Sequence, residues 1–296
     1  MLYMKKAKIL GAIYGTVGAA AYGTNPLFAK YLLMGGIGVN SMLFYRYFIA
    51  TVIFAVWLKL VKKVSLKINL KECISLFTVG LLFSLSSITL FKSYQFISIG
   101  IASTLLFVYP VIVAVFMAVF FKEKITASVI FSILLTSFGT ILLYKGDDGQ
   151  NLNFTGILLV FISAIMYTLY MIGIKKIPFL KTMNTDKLSF YVIFFGLFVY
   201  VYNLKFCTQL QIIHNFPLWL CVVGLAIIPT IISIETTTLG IKLIGSTKTA
   251  ILGALEPVTA LFIGVILFNE PLTPRIICGI ISIIFAVIIV IVNQKR

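Results

Sequence analysis

Two stretches set 147 residues apart decide how this chain folds: YPVIVAVFMAVFFKEKIT (Tyr109–Thr126) and EPVTALFIGVILFNEPLT (Glu256–Thr273). At that constant offset Pro110 falls on Pro257, Val111 on Val258, Phe121 on Phe268, Glu123 on Glu270 and Thr126 on Thr273. Near the start of each half, at an offset of 145, Ala19 matches Ala164, Tyr22 matches Tyr167 and Lys30 matches Lys175. Apolar sequence yields chance identities easily. A proline followed at a matched distance by the same helix-end pattern is much harder to reach by accident. The chain reads as one unit written twice.

Composition says what that unit is made for. Of 296 residues, 61% are hydrophobic and 11% charged, against about 45–50% and about 25% in a soluble domain. Ile276–Val292 and Leu152–Ile174 carry no charge and are long enough, or nearly so, to cross a bilayer. No polar stretch is longer than a loop, so the reading is an all-α membrane protein without a separate soluble domain. The formal charge of +16 would suggest nucleic acid in a soluble chain. Here lysines gathering in cytoplasmic loops explain it better, and basic–aromatic interleaving is missing. The bilayer is therefore the expected partner, and nucleic acid is not. The basic start MLYMKKAKIL has no clean cleavage site after its apolar part and is read as a retained first helix. Cys73, Cys207, Cys221 and Cys278 form no CxxC pair and read as small hydrophobes. His214, the single histidine, has no second ligand near it, so neither a metal site nor a cofactor is expected.

A window of about 20 residues places spans near 8–31, 40–61, 72–94, 100–121, 126–144, 153–174, 187–205, 217–241, 247–268 and 273–293. The connections hold the expected breakers: Gly35-Gly36, Gly146 to Gly149, Pro178, Pro217, Pro271 and Pro274. An even number of spans puts both termini on one side. With that side taken as the cytoplasm, 18 Lys and Arg fall on inner segments, 5 on outer ones, and Arg46 lies inside a span. That asymmetry fixes the orientation. Each half has an odd number of spans, so the copies insert in opposite senses. The expected fold is ten transmembrane helices as two inverted-topology five-helix repeats, 1–148 and 149–296.

These motifs resemble a known family. Tyr109-Pro110-Val111 with Phe121-Lys122-Glu123, Glu256-Pro257-Val258 with Phe268-Asn269-Glu270, and Tyr22-Gly23-Thr24-Asn25-Pro26 look like the drug/metabolite transporter superfamily, specifically its EamA-type ten-helix permeases. The resemblance spans almost the whole chain. Helix ends in that family commonly read Leu-Gly-Glu; Lys122 and Asn269 replace the glycine here. The resemblance implies a bundle around a central cavity, with the fifth helix of each half peripheral. It also implies a secondary transporter of small polar metabolites, often amino acids, usually moving out of the cell across the plasma membrane. The alternative is a non-transporting membrane scaffold or sensor. An ATP-driven pump would need a Walker A pattern, and an intramembrane enzyme would need HExxH or paired aspartates; the chain has neither. The sequence leaves open a monomer or a homodimer. Gly139, Ser132 and Ser137 in the fifth span, and Gly279 and Ser282 in the tenth, could serve either contact.

Within the spans, Arg46, Glu235 and Glu256 are ionisable and costly at the bilayer centre, by at least ~2.5 kcal/mol for Arg and Asp. They should face a wet cavity or one another. At about 1.5 Å rise per residue, the two carboxylates share a layer, with Arg46 roughly 8 Å further out. They form either a substrate or proton site or a buried ion pair locking helices together. Pro257 has no N–H and frees carbonyls near Gly253. A carboxylate beside such a break can hold a cation, an amine or a proton, which makes H+ the candidate coupling ion. Pro110 breaks the equivalent helix, with Tyr109 in place of the carboxylate, and Pro26 makes a third break. An amino acid's ammonium would suit Glu256 and its carboxylate Arg46. Tyr22 and Tyr167, as repeat equivalents near small residues, are further cavity candidates. Thr24 and Asn25 could either satisfy freed backbone or hold substrate. Glu123 and Glu270 read as helix-end caps.

Overall fold

The computed structural model describes residues 2–97, 99–143, 153–268 and 273–293, and every regular element among them is helical. Three helices are interrupted in the same way. α1 (Leu2–Tyr22) stops at Gly23-Thr24 and resumes as α2 (Asn25–Met34). α5 (Ile99–Leu106) stops at Phe107-Val108 and resumes as α6 (Tyr109–Phe121). α13 (Ser246–Leu252) stops at Gly253-Ala254 and resumes as α14 (Leu255–Phe268). The cause is the same each time. Pro26, Pro110 and Pro257 sit at the second or third residue of the resumed helix, where a missing N–H costs nothing, and the ring displaces the carbonyl one turn earlier. α8 (Phe154–Lys176) runs unbroken, because Met171 stands where the first copy has Pro26.

α3 (Val39–Val56) widens into a π-helical stretch, Trp57–Lys62, and ends at Lys63 in the left-handed conformation (φ 51°). α4 (Leu70–Ser93) begins with a reciprocal cap: the Glu72 N–H donates to Asn69 Oδ1 (2.8 Å), and the Asn69 N–H donates to the Glu72 carboxylate (2.9 Å). α7 (Ala127–Leu143) and α15 (Pro274–Asn293) lie side by side. A Cβ at Gly139 would come 2.8 Å from the Gly279 carbonyl, so the small residues of these two helices serve a contact within the chain. Their other faces, including Phe131, Leu134, Phe138, Ile281 and Phe285, are exposed apolar surface. α10 (Thr185–Asn203) packs on α3 and α4. α11 (Phe216–Ala226), a π-helical stretch Ile227–Ile232 and α12 (Ser233–Ile244) form one long rod.

Seven stretches among the described residues are long and apolar enough to cross a membrane, and Tyr109–Phe121 and Ala127–Leu142 are shorter apolar helices. α1 lies along α12 as α4 lies along α8. Two differences from expectation are local. The first helix starts at Leu2 and not near residue 8, so Lys5 and Lys6 also belong to it, and Pro178 opens a short helix, α9 (Pro178–Thr182), where a plain loop was expected. The breakers at Gly146 to Gly149 and Pro271, and the cap at Glu270, lie outside the described residues.

Candidate functional site

The three helix breaks meet. Tyr109 opens α6 and donates a hydrogen bond to Glu256 Oε1 at 3.4 Å, a long contact. These two residues are the sequence equivalents of the two copies. Gly253 makes the meeting possible: the Tyr109 hydroxyl occupies the space its Cβ would need. From the third break, Gly23 presses against the Glu256 carbonyl so closely that a Cβ there would overlap it. The second pair of equivalents also faces itself. Tyr22 and Tyr167 stack with centroids 6.3 Å apart and planes 15° apart, and Tyr109 meets Tyr167 edge-on at 5.0 Å. The duplication noticed in the sequence is thus a spatial relation at the centre of the bundle.

A cavity of about 40 Å³ opens beside the breaks, and Tyr22, Asn25, Pro26, Tyr94, Tyr109 and Glu256 contribute to its wall. That volume accepts water but is far below the ~300–1,000 Å³ of a drug-sized ligand pocket. Asn25 is 4% exposed, and neither its Oδ1 nor its Nδ2 has a hydrogen-bond partner. Buried polar atoms in native proteins are almost always paired, so an amide aimed at such a cavity needs a ligand or water. Pro110 is buried beneath the wall, and Tyr167 forms a layer behind Tyr22 and Tyr109.

Arg46 lies behind this wall on α3, wholly buried. Its Nε donates to Thr230 Oγ1 (2.5 Å) and its Nη2 to the Pro229 carbonyl (3.1 Å), while Nη1 has no partner. Pro229 explains the arrangement. With no N–H, it cannot bond the Leu225 carbonyl. Thr230 Oγ1 donates to that carbonyl instead (2.7 Å), the helix widens into its π stretch, and the Pro229 carbonyl accepts from the guanidinium. The rings of Tyr22, Tyr47 and Phe91 stand 5.8–6.0 Å from Cζ, within cation–π range. Among the described carboxylates none lies within ion-pair distance of Arg46, so the helix-locking pair weighed as an alternative does not form. Tyr22 and Tyr94 both lie within electrostatic reach of Arg46 and Glu256.

Glu235 stands apart. It faces Asp186 and Ser189 of α10 and Lys242 of its own helix, and does not contribute to the wall beside Glu256. Asp186 in turn pairs with Lys62 at 3.8 Å. Depth along a helix estimates height but not facing, so counting residues from the nearest lysines could not show that Glu235 and Glu256 face different surroundings. The partners of Arg46 were not foreseen. Pro229 in the middle of an apolar run was a partial signal: a mid-helix proline frees the carbonyl one turn earlier, here that of Leu225, which recruits the Thr230 hydroxyl that Arg46 also bonds. The close fit of Tyr109 on Gly253 has no one-dimensional signature.

A family model described as EamA-like transporter family matches residues 9–145 and again 154–292. No curated protein matches the chain. A solved structure titled "Crystal structure of protein" superposes with a TM-score of 0.80 at 15% identity, covering 97% of this chain and 98% of that one; the likeness is one of fold.

Proposed function

This chain belongs to the EamA-like transporter family, and on that premise we propose that it is a secondary transporter exporting small zwitterionic metabolites, amino acids among them, by alternating access. As a family member it is a multi-pass membrane transporter. α1/α2, α5/α6 and α13/α14 each count as one broken span, and α11–α12 as another. With α3, α4, α7, α8, α10 and α15 they make ten. Residues 1–148 and 149–296 are the two five-helix repeats of opposite orientation, with both termini in the cytoplasm of a cell whose plasma membrane holds the protein. Outward transport rests on the family resemblance.

One observation supports the substrate class: a carboxylate (Glu256) and a buried guanidinium (Arg46) that do not pair with each other. Tyr22 and Tyr94 lie within electrostatic reach of both, and Asn25 offers an unsatisfied amide. A zwitterion complements that pattern, its ammonium toward Glu256 and its carboxylate toward Asn25 and Arg46. The present cavity is too small for it, so the site must widen. The three breaks are where backbone can reorganise, because unsatisfied carbonyls are tolerated there only beside a wet cavity or buried in protein. A proton and an ammonium would compete for Glu256, which makes H+ the natural coupling ion.

Flux in proteoliposomes, measured with a radiolabelled amino-acid and metabolite panel with and without a pH gradient, tests this. Glu256→Gln should lose substrate flux and its pH dependence together. If flux and pH response survive that change, the assignment of Glu256 fails. If no zwitterion moves in the native protein, the scaffold or sensor reading gains.

A further inference from the structure

A second cavity, of about 460 Å³, lies at the lysine-rich end of the bundle, between the α6–α7 turn, α13 and the end of α15, and shares no lining residue with the cavity beside the breaks. We propose that it holds the headgroup of an anionic phospholipid of the cytoplasmic leaflet. The inference uses the orientation set by the lysines and does not depend on which substrate is carried.

Its polar wall is Lys124, Lys248, Thr126, Ser128, Thr247 and Glu123. Lys8 of α1 lies within electrostatic reach of Lys248, so three ammonium groups stand against one carboxylate. Glu123 is also within reach of Lys175 and Lys248, so its charge is already answered by cations. Thr126 Oγ1 and Ser128 Oγ are 3.0 Å apart, a pair of hydroxyls that can both turn toward a phosphate oxygen. Thr247 is 6% exposed and its Oγ1 has no hydrogen-bond partner; such a buried hydroxyl calls for a ligand.

Clustered lysines and hydroxyls would suit any phosphate. The rest of the wall favours a lipid. Ala114, Met117, Val129 and Val290 make an apolar side to the same cavity. Beyond it, Val115, Val119, Phe120 and Phe131 on α6 and α7 are exposed, as lipid-facing side chains are. An acyl chain can follow that surface, whereas a soluble phosphate ester has nothing to place there. Basic recesses between membrane helices on the cytoplasmic side are suited to anionic headgroups.

The test is thermal unfolding of the purified protein in detergent, titrated with phosphatidylglycerol, phosphatidylcholine or glycerol 3-phosphate. A ligand that binds only the folded state raises the midpoint saturably. Phosphatidylglycerol should do so, the zwitterionic lipid should not, and glycerol 3-phosphate should have little effect. Lys124→Ala/Lys248→Ala should weaken the apparent affinity for phosphatidylglycerol at least tenfold, given the contribution of each lysine at an anionic surface. Native mass spectrometry of the unmutated protein supplies an independent count and should retain one phosphatidylglycerol in preference to phosphatidylcholine. Equal effects of the two lipids, an equal effect of glycerol 3-phosphate, no preferential retention, or an unchanged affinity in a folded double variant would each overturn the proposal.

Discussion

Gly253→Ala gives a test whose sign alone is informative. Gly253 has φ −55° and ψ −17°, a right-handed conformation that alanine adopts without strain. On conformational grounds alone the substitution should stabilise the protein by ~0.5–1 kcal/mol. The packing opposes that. The new methyl would overlap the Tyr109 hydroxyl and would come 2.8 Å from the Ala250 carbonyl and 2.9 Å from Tyr109 Cζ. Overpacking of this kind costs ~1–3 kcal/mol; set against that gain, the net expectation is a loss of up to roughly 2.5 kcal/mol, or up to about 10 °C in Tm at ~2–4 °C per kcal/mol for a large chain. Tyr109→Phe alone removes one long hydrogen bond to Glu256 and should cost at most ~1 kcal/mol. In the double variant the worst overlap is gone while the two remaining close contacts stay. It should be more stable than the sum of the single changes by ~0.5–2 kcal/mol. Thermal unfolding in one detergent, with all four proteins side by side, measures this. A Gly253→Ala protein more stable than the parent, or strictly additive changes, would show that the Tyr109 hydroxyl does not rest on the break beside Glu256.

Three further expectations concern other places. Thr230→Val leaves Arg46 Nε and the Leu225 carbonyl without a bond in a buried setting and should lower stability by ~1–3 kcal/mol, whereas Thr230→Ser should be close to neutral; Tm of the pair decides. Lys62→Ala breaks a 3.8 Å contact to Asp186 made by a lysine side chain 46% exposed, so its effect should stay below ~1 kcal/mol and shrink at high salt. Cys207, in the turn after α10 and only partly buried, should react with a membrane-impermeant maleimide in intact cells when it is the sole cysteine; labelling only after permeabilisation would reverse the proposed orientation.

The helices were readable because apolar length is a one-dimensional property. Pro26, Pro110 and Pro257 announced breaks, since a missing N–H disrupts the turn before it wherever the residue is placed. The offsets of 147, linking Tyr109 to Glu256, and 145, linking Tyr22 to Tyr167, named the two pairs, although their meeting needed the fold. Glu235 shows where such reading stops: its height could be counted from Lys242, but its facing toward α10 depends on how the rod around Pro229 is turned. Arg46 was recognised as out of place by its charge, while its partners came from a π stretch that apolar composition does not encode.

The opposition of Tyr109 and Glu256 has a consequence for ancestry. Two identical chains related by a twofold axis must present the same residue to each other at equivalent positions. A self-paired glutamate would set two negative charges together, and a self-paired tyrosine would offer no fixed charge to a passing cation. Fusing both copies into one polypeptide releases that constraint: each side can mutate alone, and equivalent positions can carry a phenol on one side and a carboxylate on the other.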